Sequence, residues 1–378
     1  MRDYMQRYSI GVSDALVLAG AQISRVDAKE DAFTRLFNSP SLNGKIFEAD
    51  DTVIDLTPGL AGDTFRTGVL KRAFGVNDAG LYALWGMVEG VKEPNKFVCS
   101  MRWLSALCRV KLLADVHGLN VTELSALMEL PPYNYPPLLY PDSALIRSID
   151  MYTRWLRKLG WTVGDLYLML SGRVSPLAES QAEQLLLELK HSLTATDAPD
   201  DTESRIRVIT PLISAALQTE AAAAEAILMW AGDVKAGGLT LVQFIGSLIT
   251  GTRSAPVEGS SAQALFCHVM GQMALMAGTL KLPAEVLLLA VARPEKFRTD
   301  ASVLPLDMAT IRSLSRFHEW LQRYSESAPF VLPALKKGTL TPAQFAQVPL
   351  LPALGGAVAE LGPGGHRGWA EFVQDGTE

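Results

Sequence analysis

Cysteine is scarce in this chain of 378 residues. The three cysteines are Cys99, Cys108 and Cys267, and no two of them form a Cys-x-x-Cys pair. This odd number and wide spacing argue against a disulfide framework and against a zinc site built on cysteine pairs. Each cysteine lies among apolar residues, which predicts buried free thiols and folding in a reducing cytoplasm.

Motifs for catalysis and for metal binding are also missing. The sequence contains no nucleophile elbow, phosphate-binding loop, His-Glu-x-x-His zinc motif or Gly-x-Gly-x-x-Gly dinucleotide turn. The five histidines are dispersed along the chain, so no metal-binding pair one helical turn apart can be built. The acidic doublets Asp50-Asp51 and Asp200-Asp201 fall in predicted loops and are interpreted as solvated turns. The sequence therefore predicts no catalytic, cofactor-binding or metal-binding residue, no cofactor and no enzyme.

A basic surface for nucleic acid is not indicated. Lysine and arginine number 34 against 40 aspartate and glutamate residues, which gives a formal net charge of −6. Nucleic-acid-binding proteins usually carry a basic excess. The short basic doublets at residues 71–72 and 336–337 have no interleaved aromatic residues. We therefore expect no nucleic-acid partner.

Long hydrophobic runs are missing as well. The N-terminal residues include no apolar core of a signal peptide, so none is expected. The longest apolar stretch, residues 274–292, is interrupted by Lys281, Pro283 and Glu285. This stretch is too broken for a membrane span and predicts two helices around a turn. We expect no direct membrane insertion by this segment.

What the sequence does contain is helical periodicity. Hydrophobic residues make up 48% of the chain, and many recur at the three- and four-residue spacing of an amphipathic helix, as do Leu185, Leu189 and Leu193. Tryptophans recur on apolar helix faces and indicate core packing. The sequence predicts an all-α protein.

A recurring joint connects the predicted helices. Three pairs have the spacing of a capping box, in which two side chains satisfy amides at a helix start: Asn120 with Glu123, Thr240 with Gln243, and Thr341 with Gln344. Some of the predicted caps recur about every forty residues, which is typical of helical repeats. An irregular helical bundle with the same turn chemistry is an equally open alternative. His117 ends a helix, where an imidazolium would favour the negative end of the helix dipole.

Loops interrupt the helical pattern in three places. Residues 38–63 are rich in proline and glycine and predict one long ordered loop with a small hairpin, in which Gly44 has a positive φ. Residues 131–137 contain four prolines and are expected to be extended. Residues 1–350 are predicted to form one α-helical segment, and residues 351–378 a loosely ordered C-terminal tail.

Several stretches resemble the A component of the Tc (toxin complex) insecticidal toxins, and they do so in the family's order. They are residues 8–16 (YSIGVSDAL), 36–44 (LFNSPSLNG), 54–59 (IDLTPG), 69–74 (VLKRAF) and 112–117 (LLADVH). The second is the most specific of them. The resemblance extends from the N-terminus to about residue 349.

The resemblance implies a structural function. In the family, the A component is a homopentameric, bell-shaped, secreted toxin whose helical outer shell encloses a translocation channel. A change of pH triggers opening of the shell, and the toxic enzyme is carried by the C component. This chain would be part of that shell. Its partners would be other A-component subunits and the rest of the A chain, whereas the B–C cocoon would dock on regions outside the match.

A second function class remains open at this point. A free-standing helical-repeat adaptor that binds another protein would have the same helices, the same capped joints and no catalytic residues. The sequence does not distinguish a short natural reading frame from part of a longer chain. It also leaves open the host receptor, the toxic payload and the oligomeric state of the segment alone.

Overall fold

The computed structural model describes residues 2–24, 31–59, 63–89, 95–131, 133, 138–173, 176–195, 199–251, 261–298, 301–323, 332–333 and 336–337. The chain divides into two compact units, Met1–Tyr167 and Leu168–Glu378, and the boundary falls within one helix. The predicted tail, residues 351–378, and the capping pair Thr341/Gln344 lie outside the described residues.

The all-α prediction is confirmed. Helices of the first unit are α1 (Arg2–Tyr8), α2 (Val12–Leu18), α3 (Thr64–Phe74), α4 (Asp78–Glu89), α5 (Met101–Val116), α6 (Val121–Glu129) and α7 (Ser143–Leu159). A short π-helix, Thr34–Asn38, precedes α3. Helix α8 (Val163–Leu170) crosses the boundary between the units. In the first unit, α4 packs on α5 and α6, and α2 packs on α5.

The second unit is built around one apolar helix. Its helices are α9 (Pro176–Leu193), α10 (Thr202–Leu217), α11 (Ala221–Asp233), α12 (Leu241–Thr250), α13 (Ala262–Leu280), α14 (Ala284–Ala292) and α15 (Met308–Arg323). Helix α11 is rich in alanine, so neighbours approach its backbone closely, and α10, α12, α13 and α14 all pack against it. Trp230 of α11 is buried, and its indole Nε1 donates to the Leu304 carbonyl at 2.7 Å.

The predicted helix caps form as expected where the structure describes them. Asn120 and Glu123 make the reciprocal bonds of a capping box at the start of α6, and Thr240 and Gln243 do so at the start of α12. Each pair satisfies backbone amides that the first helical turn leaves without partners. Thr162 exchanges the corresponding bonds with Asp165 at the start of α8. Local sequence therefore fixes where these helices begin.

Residues 38–59 of the predicted long loop have defined structure, but their strand pairs differently from the predicted local hairpin. Asn43 and Gly44 both have positive φ, 53° and 71°, in a tight turn closed by a bridge between Leu42 and Lys45. The apolar piece that follows forms strand β1 (Val53–Asp55), which pairs antiparallel with strand β2 (Lys96–Val98) from after α4. The local hairpin is therefore limited to the turn at Asn43, because β1 pairs with β2, which is distant in sequence.

No single helix among the described residues is long and apolar enough to cross a membrane. The pair α10 and α11, bent by 102°, reaches that length and composition only when the two are joined. Most residues of α11 are buried inside the second unit.

Candidate functional site

The motif stretches meet in space in the first unit. Asn38, from the LFNSPSLNG stretch, binds the backbone of Phe47 twice: its amide nitrogen donates to the Phe47 carbonyl at 3.0 Å, and its side-chain oxygen accepts from the Phe47 N–H at 2.7 Å. The side chain thus replaces a strand partner for the backbone of the buried residue Phe47. An alanine at position 38 could make neither bond.

Arg72, from the VLKRAF stretch, closes the same loop from α3. Its guanidinium donates to the carbonyl of Phe37 at 2.7 Å and to the carbonyl of Pro40. These two carbonyls lie at the end of the π-helix and just after it, where a helix leaves its acceptors without internal partners. A cation also suits the negative end of a helix. The LFNSPSLNG and VLKRAF stretches are therefore joined by charge-assisted hydrogen bonds from Arg72, which we call the Arg72 lock.

A cluster of phenylalanines packs beneath this lock. Phe37 stacks on Phe47 with ring centroids 5.2 Å apart and meets Phe74 edge-to-face at 5.9 Å. Phe33 contacts both Phe37 and Phe47. All four rings are almost fully buried. Such aromatic pairs stabilise a core beyond the area they bury, by about 1 kcal/mol each. The specific LFN motif therefore holds a structural joint between the loop and α3.

A second joint links the first motif to the LLADVH stretch. His117, at the end of α5, is buried, and its Nδ1 lies 2.8 Å from the carbonyl of Leu113. A carbonyl only accepts, so Nδ1 carries the proton and Nε2 is free to accept from the hydroxyl of Tyr8 at 3.3 Å. The rings of Tyr8 and His117 also meet edge-to-face, 5.2 Å apart.

The burial of His117 favours its neutral form over the imidazolium that would suit a helix end. Burial lowers the pKa of His117, an effect opposed by its hydrogen bond to Leu113 and by Asp150 and reinforced by Arg157. In the neutral ring, Nε2 accepts from the Tyr8 hydroxyl. Desolvation therefore outweighs the helix dipole at this position. The cation at the end of α5 is instead Arg157, whose guanidinium donates to the carbonyl of His117.

The structure shows a buried structural residue that the sequence reasoning missed. Arg109 of α5 is 2% exposed, yet it has no carboxylate partner among the described residues. Its guanidinium donates to the carbonyls of Val17 at 2.7 Å, of Ala21 at 3.2 Å and of Leu139, and it lies 5.0 Å from the ring of Tyr140.

This arrangement binds the N-terminal segment to α5. The carbonyls of Val17 and Ala21 lie at the end of α2, where a cation is favoured. Burial lowers the pKa of Arg109, but the guanidinium keeps its charge because arginine titrates far above neutral pH. Ser105, one turn before, accepts from the N–H of Ile23 at 3.1 Å. The available signal was an arginine between the apolar residues Cys108 and Val110 of α5.

The described residues contain no cluster of side chains that could bind a metal ion. In those residues no group of three or more histidine, cysteine, aspartate or glutamate side chains could hold a metal. The three cysteines are buried free thiols, as predicted, and burial raises the pKa of each to about 12. Asp201 caps α10, and Asp50 pairs with Arg66. The acidic doublets thus have structural contacts.

Two solved structures confirm the resemblance of this chain to Tc toxin components. The first is the cryo-EM structure of TcdA4 from Morganella morganii, with a TM-score of 0.77 and 28% sequence identity over 98% of this chain. The second, TcaA-TcaB from Yersinia pseudotuberculosis, has a TM-score of 0.65 and 15% identity over 95% of this chain, and it shows the fold alone. The chain spans 16% of the TcdA4 chain and 19% of the other. A scan against protein-family models and a search of curated proteins gave no match.

Proposed function

We propose that this chain is a structural part of the helical outer shell of a Tc toxin A component and that it catalyses no reaction. The observation that carries the proposal is the match of 98% of the chain to TcdA4 at a TM-score of 0.77. A match over nearly the whole chain argues against an unrelated repeat adaptor that shares only helices and turns.

The contacts in the first unit support a structural role. Arg72, His117 and Arg109 each join segments far apart in the chain through buried or half-buried hydrogen bonds. The hydrogen bonds from the charged guanidinium groups of Arg72 and Arg109 contribute about 1.5–3 kcal/mol each to stability. The bonds of Arg72 hold the loop against α3, and those of Arg109 hold the end of α2 against α5.

The proposal includes partners and location. The chain would assemble with other A-component subunits and with the remaining parts of an A component, and it would act outside the producing cell as part of a secreted toxin. It would not itself insert into a membrane. The B–C cocoon would be bound by other regions.

The test is purification of the natural complex. An affinity tag is placed on the gene in the producing bacterium, and the tagged protein is isolated from cells and from culture medium. We expect it in a particle far larger than its own 40.9 kDa, with other Tc chains identified by mass spectrometry. Recovery as a free monomer, with no Tc chain at stoichiometric amounts, would refute the assignment. The control is the same tag on an unrelated secreted protein.

A further inference from the structure

We draw no further inference here: the strongest candidate, the cavity of the second unit that is lined by Leu187 and Lys190 of α9, Ser247 of α12 and Gln263 of α13, carries nothing, because no observation on the residues that the structure describes shows what covers it.

Discussion

Gly237 offers a sharp test of packing in the second unit. It lies in a short 3₁₀ helix, Ala236–Gly238, with φ of 59°. A Cβ atom at this position would lie 2.2 Å from the carbonyl oxygen of Ala262 and 3.1 Å from its carbonyl carbon. A normal carbon–oxygen contact is about 3.3 Å or longer. Alanine at position 237 therefore requires the backbone of α13 to move by about 1 Å.

The expected cost has two parts. Placing alanine in the left-handed region costs about 1–2 kcal/mol. Displacing a well-packed helix costs about 1–3 kcal/mol more, because α13 carries buried side chains such as Phe266 and Met270. Gly237→Ala should therefore lower the free energy of unfolding of the second unit by about 2–5 kcal/mol.

Gly238 is the matched control, because it has a positive φ of 80° but no atom within 4 Å of the position that a Cβ atom would take. Gly238→Ala should cost only the conformational part, about 1–2 kcal/mol. The free energy of unfolding of both variants is measured by urea denaturation. Hydrogen exchange of the α13 amides is used as the probe, so that unfolding of the second unit is observed. If both variants are destabilised equally, the close approach of Ala262 is not the reason that position 237 requires glycine.

Three further outcomes follow from the first unit. Asn120→Ala should lose about 1 kcal/mol of stability in denaturant melts, and Glu123→Ala should lose less. The loss in the double variant should be smaller than the sum of the two single losses, and strictly additive losses would contradict the capping box. Gly44→Val should lose about 1 kcal/mol or more, because φ is 71° there, and a variant that melts like the parent would contradict the fixed turn. The lowered pKa of His117 means that the unfolded state binds a proton at this histidine before the folded state does as pH falls. The contribution of His117 to stability is therefore present above the ordinary histidine pKa of about 6.5 and is lost below it. His117→Gln should reduce the loss of stability in acid, measured by denaturant melts across pH, whereas the exposed His191→Gln should not; equal pH profiles for the two variants would refute the assignment.

Helix positions were predictable because their causes are local. The capping pair at Asn120 and Glu123 lies within one turn of chain, and the spacing alone identifies it. The buried thiols were predictable for a similar reason, since their neighbours in sequence are apolar. The positive φ at Gly44 also followed from the turn sequence.

The joints themselves depend on contacts between distant segments. Nothing near Val53 indicates that its partner strand follows α4, because a strand of three residues is too short for a periodic signal. Arg109 is buried only because α2 and the segment before α7 place their carbonyls around it. The lowered pKa of His117 could not be inferred from the sequence, because its burial arises from tertiary packing, whereas the helix dipole can be inferred locally.

The measurement that tests the central claim most directly is a cryo-EM structure of the tagged natural particle. We predict that both units of this chain fit density in the outer helical wall, with the LFNSPSLNG loop locked against α3 and Arg109 enclosed by the N-terminal segment. Density for this chain along the central channel, or a particle that contains no other Tc chain, would contradict the shell assignment.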